Sequence, residues 1–338
     1  MKKLRLLTGD TPTGKLHLGH WVGSLENRVK LQDKYDCYFL IANPHAFSTK
    51  ADNPKAIRES VLDIILDYLS VGIDPVKSCI FLESDIPAIF ELATYFSMLI
   101  SHPRLMRNPT IKDEIRDKKL GDQYSMGFLW YPILQVADIL AFCANVVPVG
   151  EDQAAHLELT REVARKFNQA YGRDLFPVPE IMLGRTKRLV GTTGPNAEGH
   201  LLKMSKSLNN AIFLSDDADT IRKKVMAMYT DPGRLRASDP GKVENNPLWI
   251  FHDIFNDDKR WIKEAKTHYQ QGKIGDVDCK KKLIDILISV LEPIQKRRAE
   301  YDGNEDYILS VIRDGAEKAN KIANTTLHAA KEAICQIY

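Results

Sequence analysis

The 338-residue chain contains no C-x-x-C pair, no apolar run near the length of a membrane span, and almost no net charge. Each absence excludes something. The five cysteines, Cys37, Cys79, Cys143, Cys279 and Cys335, are scattered and odd in number, and the nine histidines show no zinc spacing. A disulfide framework and a protein-ligated metal site are therefore set aside, and free, mostly buried thiols in a reducing compartment are expected. A spanning helix needs about 20 successive apolar residues, which this sequence does not offer. The stretch Met1-Lys2-Lys3-Leu4-Arg5-Leu6-Leu7 is basic, but its apolar part is too short and interrupted for a signal peptide, so a cytoplasmic location without membrane contact is expected. With 47 basic and 45 acidic residues the net charge is only +2, so any nucleic-acid surface must be a local patch.

What remains is an ordinary globular composition, 44% hydrophobic and 27% charged, in a chain long enough for two domains. The first half alternates short apolar runs with helix-period stretches. Leu4 to Leu7, Tyr38 to Ala42, Cys79 to Leu82 and Asn145 to Val149 read as buried strands. Leu16 to Gln32, Ala56 to Val71 with Gly72 as its stop, Ile86 to Ile100 and Ala154 to Asn168 read as helices. That alternation predicts an α/β fold, a doubly wound parallel sheet with helices on both faces. Gly191, Gly194 and Gly199, among Thr192, Thr193, Pro195 and Asn196, mark a mobile loop between Gly184 and Asn210. After Ser215 strand signals vanish, and helices are expected over 219–229, 247–255, 258–271, 278–301 and 306–337, the last breaking near Asn324. The expected division is a catalytic domain over 1–214 and a helical domain over 215–338, with the last helix packing back on the first domain.

The first glycine-rich turn reads Thr8-Gly9-Asp10-Thr11-Pro12-Thr13-Gly14-Lys15-Leu16-His17-Leu18-Gly19-His20. Gly9, Gly14 and Lys15 stand at P-loop spacing, but Leu16 follows the lysine where Ser or Thr would hold magnesium, and Pro12 removes a backbone donor. The P-loop is rejected. His17 and His20, three apart in the first turn of a helix, instead share a face beside the positive end of its dipole. Such donors suit a polyphosphate whose charge grows during nucleotidyl transfer. Gly19 between them leaves backbone bare for a flat base. The bland alternative is two exposed histidines at a helix start.

A second motif, Lys203-Met204-Ser205-Lys206-Ser207, follows the glycine-bearing loop. Two lysines three apart on a flexible segment can close over a leaving pyrophosphate as mobile point charges. Alone, the pentapeptide is equally a solvated basic turn. Together, His17-Leu18-Gly19-His20 and this lysine motif resemble the two signatures of class I aminoacyl-tRNA synthetases, at the spacing of the small tyrosine/tryptophan subgroup. The similarity continues through Tyr131-Pro132-Ile133-Leu134-Gln135-Val136-Ala137-Asp138-Ile139-Leu140 and Val147-Pro148-Val149-Gly150-Glu151-Asp152-Gln153, with His156, Glu158, Leu159, Thr160 and Arg161 after it. Tyr229-Thr230-Asp231-Pro232 and Gly315-Ala316-Glu317-Lys318-Ala319-Asn320 extend it toward the C-terminus. These segments resemble the bacterial-type tryptophanyl branch.

The resemblance implies a Rossmann-like catalytic domain, a helical anticodon-recognition domain, a homodimer, and ATP-dependent activation of L-tryptophan followed by transfer to tRNA(Trp). It implies His17, His20, Lys203 and Lys206 as the catalytic set. ATP contacts fall on Thr11, Pro12, Thr13, Gly19, His20, Gly150, Glu151, Asp152, Leu189, Lys203, Met204, Ser205, Lys206 and Ser207. Asp138 matches the carboxylate that accepts the indole N–H, which is chemically apt because indole offers one donor and no acceptor. Tyr131, Gln135 and Gln153 complete the tryptophan-binding set, with Val149 as a further apolar wall. Magnesium is expected to ride on the ATP phosphates.

The sequence departs from the usual pattern at Thr11, often Gln, at Gln135, often Met, and at Glu114, often a second lysine. Tyrosyl enzymes also place a Gln and an Asp at the Gln135–Asp138 spacing, so tyrosine stands as the alternative substrate. A small-molecule nucleotidyltransferase and a non-catalytic RNA-binding relative are the remaining alternatives. The basic groups Arg222-Lys223-Lys224, Lys280-Lys281-Lys282 and Lys296-Arg297-Arg298 are candidate tRNA-phosphate contacts or solvated helix faces.

Overall fold

The computed structural model describes residues 3–117, 120–150, 153–183 and 189–338. Along them run β1 (Arg5–Asp10), α1 (Leu18–His20), a π-helical segment (Trp21–Leu25), α2 (Glu26–Leu31), β2 (Asp36–Ile41), α3 (Asn43–Lys50), α4 (Pro54–Val71) and β3 (Ser78–Leu82). A 3-10 turn (Glu83–Asp85), α5 (Pro87–Ser97), α6 (His102–Leu105), α7 (Pro109–Asp117), α8 (Met126–Ala141), β4 (Val146–Val149), α9 (Ala154–Tyr171) and β5 (Glu180–Leu183) follow. The remainder is α10 (Ala218–Met226), α11 (Pro247–Phe255), α12 (Lys259–Gln270), α13 (Asp276–Tyr301) and α14 (Glu305–Ala333). Two compact units result, one comprising Met1–Gly14, Ser24–Lys187 and Tyr301–Tyr338, the other Lys15–Gly23 and Arg188–Glu300.

The first unit is built on a five-stranded sheet of order β3-β2-β1-β4-β5. Every pairing is parallel, with Leu7 opposite Tyr38 and Phe39 opposite Ile80. Leu6, Leu7, Phe39, Leu40, Ile80 and Phe81 are all buried, as expected when helices cover both faces. The strand order reverses between β1 and β4, and in doubly wound sheets the crevice beyond the carboxyl ends at such a switch is where ligands bind. Pro148 in β4 has no N–H to give the ladder, and the Thr8 hydroxyl of β1 donates to its carbonyl at 2.9 Å.

The predicted strands and the α4 stop appear as expected; Gly72 takes φ 101°, where a side chain would be strained. Besides α8, whose residues were read for their motif and not as a helix, α3, α6, α7 and β5 were not foreseen. Pro44, Pro103 and Pro109 open the three helices, and a proline-bearing short segment reads from sequence as a turn. The expected break near Asn324 does not occur, because α14 runs unbroken from Glu305 to Ala333. Thr325 and Thr326 turn their hydroxyls back to the carbonyls of Lys321 and Ile322, and the buried stripe of Ala319, Ala323, Thr326 and Ala330 continues through the polar stretch.

Tight backbone approach sets α14 on the sheet. A Cβ on Gly315 would overlap the carbonyl oxygen of Ile80 in β3, and the Cys79 thiol donates to the Gly315 carbonyl at 3.2 Å. The five cysteines are free, with Cys37, Cys79 and Cys279 buried.

The second unit carries α10 to α12 and most of α13 around Ile221, Val225, Trp249, Phe251, Tyr269, Leu283 and Leu287. Two members of the basic groups prove to be structural. The Lys280 ammonium is buried and donates to the carbonyls of Met228 and Met226, at 2.6 and 3.1 Å, and to the Thr230 hydroxyl at 2.9 Å. Lys224 pairs with Asp216 and lies 4.5 Å from the centre of the Phe213 ring. Neither stands as a free phosphate contact. Among the described residues no helix is long and apolar enough to cross a membrane.

Gly315→Ala is expected to destabilise the protein by about 3 kcal/mol or more, because the contacted atom is main chain and cannot rotate away. Thermal or urea unfolding measures it; a variant as stable as the parent would mean that α14 does not pack on β3 in this register.

Candidate active site

His17 is the N-cap of α1, with extended backbone at φ −130° and ψ 172°. Its Nδ1 accepts the N–H of Gly19 at 3.1 Å, and its own N–H is accepted by Nδ1 of His20 at 3.1 Å. The two imidazoles thus form a reciprocal capping box, the role usually filled by a Ser or Thr and a Glu or Gln. The three-residue spacing is a folding device as well as a chemical one. Because each Nδ1 accepts, each ring is neutral and its proton sits on Nε2, which makes both ε nitrogens donors. The rings lie 3.8 Å apart, centre to centre.

Burial is the main reason that the His17 pKa falls to about 3, and neighbouring His20, Lys206 and Lys203 lower it further. His17 therefore acts as a hydrogen-bond donor and not as a cation. Gly19 is required because any Cβ there would press on the His17 ring, with Cβ of Met204 just beyond. The π-helical Trp21–Leu25 follows directly, an irregularity often found beside functional residues.

The lysine motif is anchored next to this turn. Leu16 and Leu18 exchange backbone bonds with Leu214 and Ile212, so that His17 stands opposite Phe213 in a short antiparallel bridge. Met204 donates its N–H to the Leu189 carbonyl at 3.0 Å, and Lys203 bridges to Val190. The loop's organiser is Asn210, fully buried, whose Oδ1 accepts from the Ser205 N–H at 2.7 Å and whose Nδ2 donates to the Lys203 carbonyl at 3.1 Å. Gly191 is bare because a Cβ would collide with Asn210, and Gly194 because it would collide with Tyr229. Ser205 and Ser207 share a hydroxyl contact of 2.9 Å. The predicted His17, Gly19, His20, Leu189, Lys203, Met204, Ser205, Lys206 and Ser207 are thus collected within the second unit.

The other predicted residues belong to the first. Thr11, Pro12 and Thr13 follow the end of β1, and Gly150 follows the end of β4, the two strands flanking the switch. Thr13 donates its N–H to the Thr11 carbonyl at 2.8 Å, and the Lys50 ammonium reaches the Thr13 carbonyl at 3.3 Å. Glu151 and Asp152 lie outside the described residues. On α8, Tyr131, Gln135 and Asp138 recur at helical spacing, and Gln135 meets Gln153 at 3.5 Å. The Tyr131 ring packs edge-on against His45, 4.5 Å between centres. Its hydroxyl contacts Nε2 of buried His156 at 3.3 Å, and Asn108 contacts Nδ1 of that ring at 3.3 Å. Burial first, then the negative charge of Glu114 and a hydrogen bond to it, keeps the Tyr131 phenol protonated far above the usual range. Glu114, set where relatives often carry lysine, is thus a partner of Tyr131.

Four residues of this neighbourhood escaped the sequence reading: His45, Glu83, Asn108 and Arg28. Arg28 is buried and donates to Asp10 and to the Tyr68 hydroxyl, both at 2.7 Å, and to Ser24 at 2.8 Å. Glu83, at the first position of the 3-10 turn, is buried and hydrogen-bonded to Asp138. Only burial distinguishes Arg28, Glu83 and Asn108, and a polar residue in a helix or turn gives no sign of it from sequence.

The family model for class I tRNA synthetases (W and Y) matches residues 1–292. The chain belongs to that family. It is 48% identical over 341 residues to a tryptophan–tRNA ligase of Lactococcus lactis subsp. lactis, covering 99% of this chain and 98% of that protein. The corresponding Borreliella burgdorferi ligase is 47% identical over 337 residues, covering 99% and 94%. Among solved structures, the tryptophanyl-tRNA synthetase of Campylobacter jejuni complexed with ADP and tryptophan superposes with a TM-score of 0.83 at 31% identity, covering 98% of this chain and 100% of that one. The Rossmann-like sheet and the C-terminal helices of this synthetase agree with that likeness.

The neutral His17 has a consequence for acid stability. In the unfolded chain it takes up a proton near pH 6.5, whereas in the folded protein it stays neutral down to about 3. Its contribution to stability is complete above 6.5 and is lost as pH falls toward 3. His17→Gln should flatten the dependence of unfolding free energy on pH by about 1.4 kcal/mol per pH unit between roughly pH 6 and 4. Urea titrations at several pH values test this, and an unchanged slope would refute a buried neutral imidazole.

Proposed function

We propose that this synthetase activates L-tryptophan with ATP and transfers it to tRNA(Trp) through the residues described above. The observation that carries the reading is the convergence, in one compact unit, of two neutral Nε2–H donors from the reciprocally capped His17 and His20 with the ammonium groups of Lys203 and Lys206. Neutral donors and mobile cations are what a nucleotide polyphosphate needs. The near-full-length likeness to tryptophan–tRNA ligases supports the amino acid.

In the first half-reaction a carboxylate oxygen of tryptophan attacks the α-phosphorus of ATP in line. The bond from that phosphorus to the bridging oxygen breaks, and pyrophosphate leaves with the Mg²⁺ that entered on the ATP phosphates. No general base is needed, because the nucleophile is already ionised; positioning and charge stabilisation supply the rate. His17 and His20 donate to phosphate oxygens, while Lys203 and Lys206 neutralise the charge that builds on the leaving group. Thr11, Pro12, Thr13 and Gly150 contact the nucleotide at the ends of β1 and β4. Asp138 accepts the indole N–H, and Tyr131, Gln135 and Gln153 frame the amino acid. The adenylate then passes its aminoacyl group to a terminal ribose hydroxyl of the tRNA, releasing AMP. The reading includes a cytoplasmic homodimer with a helical anticodon-recognition region.

The test is amino-acid-dependent exchange of labelled pyrophosphate into ATP. Exchange with tryptophan and not with tyrosine is expected; exchange with tyrosine would reverse the substrate assignment. Lys206→Ala should slow exchange by at least a hundredfold, equivalent to about 2.7 kcal/mol of transition-state stabilisation. Unaltered exchange in that variant would remove Lys206 from the catalytic set.

A further inference from the structure

Two side-chain pairs join α8 to the start of α9. Tyr131 and Gln135, four apart on α8, meet His156 and Gln153, three apart at the start of α9, at 3.3 and 3.5 Å. The mechanism above uses three of these residues and leaves out His156. Its side chain is buried, with the residue 1% exposed, yet both ring nitrogens have a polar partner. The Tyr131 hydroxyl lies at Nε2 and the Asn108 side chain at Nδ1, each at 3.3 Å. Asn108 and Tyr131 are buried as well, so the three groups answer to one another and not to bulk water.

The direction of each bond follows from the groups at the two ends. Asn108 precedes α7, and its Oδ1 accepts the N–H of Thr110 at 3.0 Å, which turns Nδ2 toward the imidazole. An amide nitrogen only donates. Nδ1 of His156 therefore accepts, the ring proton lies on Nε2, and Nε2 donates to the phenol oxygen of Tyr131. The far end agrees. Glu114 of α7 can only accept from the Tyr131 phenol, so the phenol spends its hydrogen there and takes His156 as a donor. Phe128 and His45 wall the Tyr131 ring, 5.6 and 4.5 Å between centres. Other charged groups of the flanking helices are paired among themselves: Arg104 of α6 with Glu162 of α9, and Arg161 with Glu158, each at 2.6 Å.

We infer that His156 is a positioning residue for the amino-acid substrate: held in its Nε2–H form by Asn108, it fixes the direction of the Tyr131 hydroxyl that the substrate meets. The inference rests on the reading of Tyr131 as part of the tryptophan site. A phenol oxygen has one hydrogen and two lone pairs. Glu114 takes the hydrogen and His156 one lone pair, so what is left can only accept, and it suits an N–H donor of the ligand. With the opposite tautomer the phenol would face two acceptors, the imidazole and Glu114, with one hydrogen for both. Its hydroxyl would then have no single orientation, and binding would have to order it. Asn108 thus acts on the substrate through two successive bonds, from the loop before α7.

The tautomer is read directly by heteronuclear NMR of the full-length protein with isotopically labelled histidines, the His156 signals being those lost in His156→Gln. A proton on Nε2 and a bare Nδ1 are expected; a proton on Nδ1 would overturn the inference without recourse to kinetics. Pyrophosphate exchange tests the consequence. His156→Leu keeps bulk but no donor, and should raise KM for tryptophan about tenfold while KM for ATP changes less than about twofold. His156→Gln, which returns an N–H donor, should recover most of that loss. Asn108→Asp still accepts from Thr110 but can no longer donate to Nδ1, so Nε2 carries a proton only while the ring is charged. Relative to the wild type, its KM for tryptophan should rise about tenfold with pH as the imidazolium titrates, above the ordinary value of about 6.5 because of the new carboxylate. A ratio independent of pH, or an unchanged KM in His156→Leu, would overturn the role of His156. A wild type that keeps the Nε2 proton but binds no tryptophan would instead sink the substrate assignment, so the two failures are distinct.

Discussion

A buried ion pair organises the carboxyl end of the central strand. Asp10, the last residue of β1, accepts from the Arg28 guanidinium at 2.7 Å and from the Tyr68 hydroxyl at 2.6 Å. The guanidinium in turn lies 5.9 and 5.5 Å from the ring centres of Phe39 and Tyr68. One cation therefore ties β1, β2, α2 and α4 together. Desolvation works against this charge, and only the surrounding carboxylate, hydroxyls and π faces hold Arg28 permanently ionised. Removing either partner leaves the other buried alone, which is costlier than never having made the pair. With β1 ended in this way, Thr11, Pro12 and Thr13 emerge at the switch between β1 and β4, where this sheet topology leaves a crevice.

Elsewhere burial selects neutrality. His17 is uncharged because its δ nitrogen is spent on a cap and its ring is covered. Tyr131 keeps its proton, and Glu83 and Asp138 cannot both be ionised. The cationic side chains are treated differently: Lys203 is exposed and Lys206 partly so, on a loop tied down through its backbone by Asn210. A fixed, neutral donor suits an oxygen of defined position, whereas a lysine on a flexible stem suits charge that moves. Such a division avoids burying cations that would have to be desolvated before any phosphate arrived.

Much of this was legible in the sequence. Apolar runs placed four strands, and Gly72 placed the end of α4, because core burial and a left-handed cap leave periodic and compositional traces. The two motifs were visible for the same reason: glycines bare for close approach and basic residues at fixed spacing are unusual chemistry. β5 was missed because Glu180-Ile181-Met182-Leu183 is short and follows prolines, and its pairing with β4 is a long-range fact. Lys280 read as one of three like charges, yet folding turns it inward to satisfy carbonyls at the end of α10. Glu83 was invisible because Glu-Ser-Asp before a proline is what a solvated turn looks like.

The histidine turn shows how a proposed chemical role and a folding role can rest on the same two residues. Sequence reasoning set a catalytic His-x-x-His against two unremarkable histidines at a helix start. The reciprocal cap shows that they are not unremarkable, since each ring holds the helix start. The helix uses the δ nitrogens to satisfy its first amides, and by doing so it fixes the tautomer, orientation and neutrality of both rings. A residue spacing kept for folding thereby sets the chemistry of the ε nitrogens. The polar group that satisfies the fold there determines the protonation state that the turn presents.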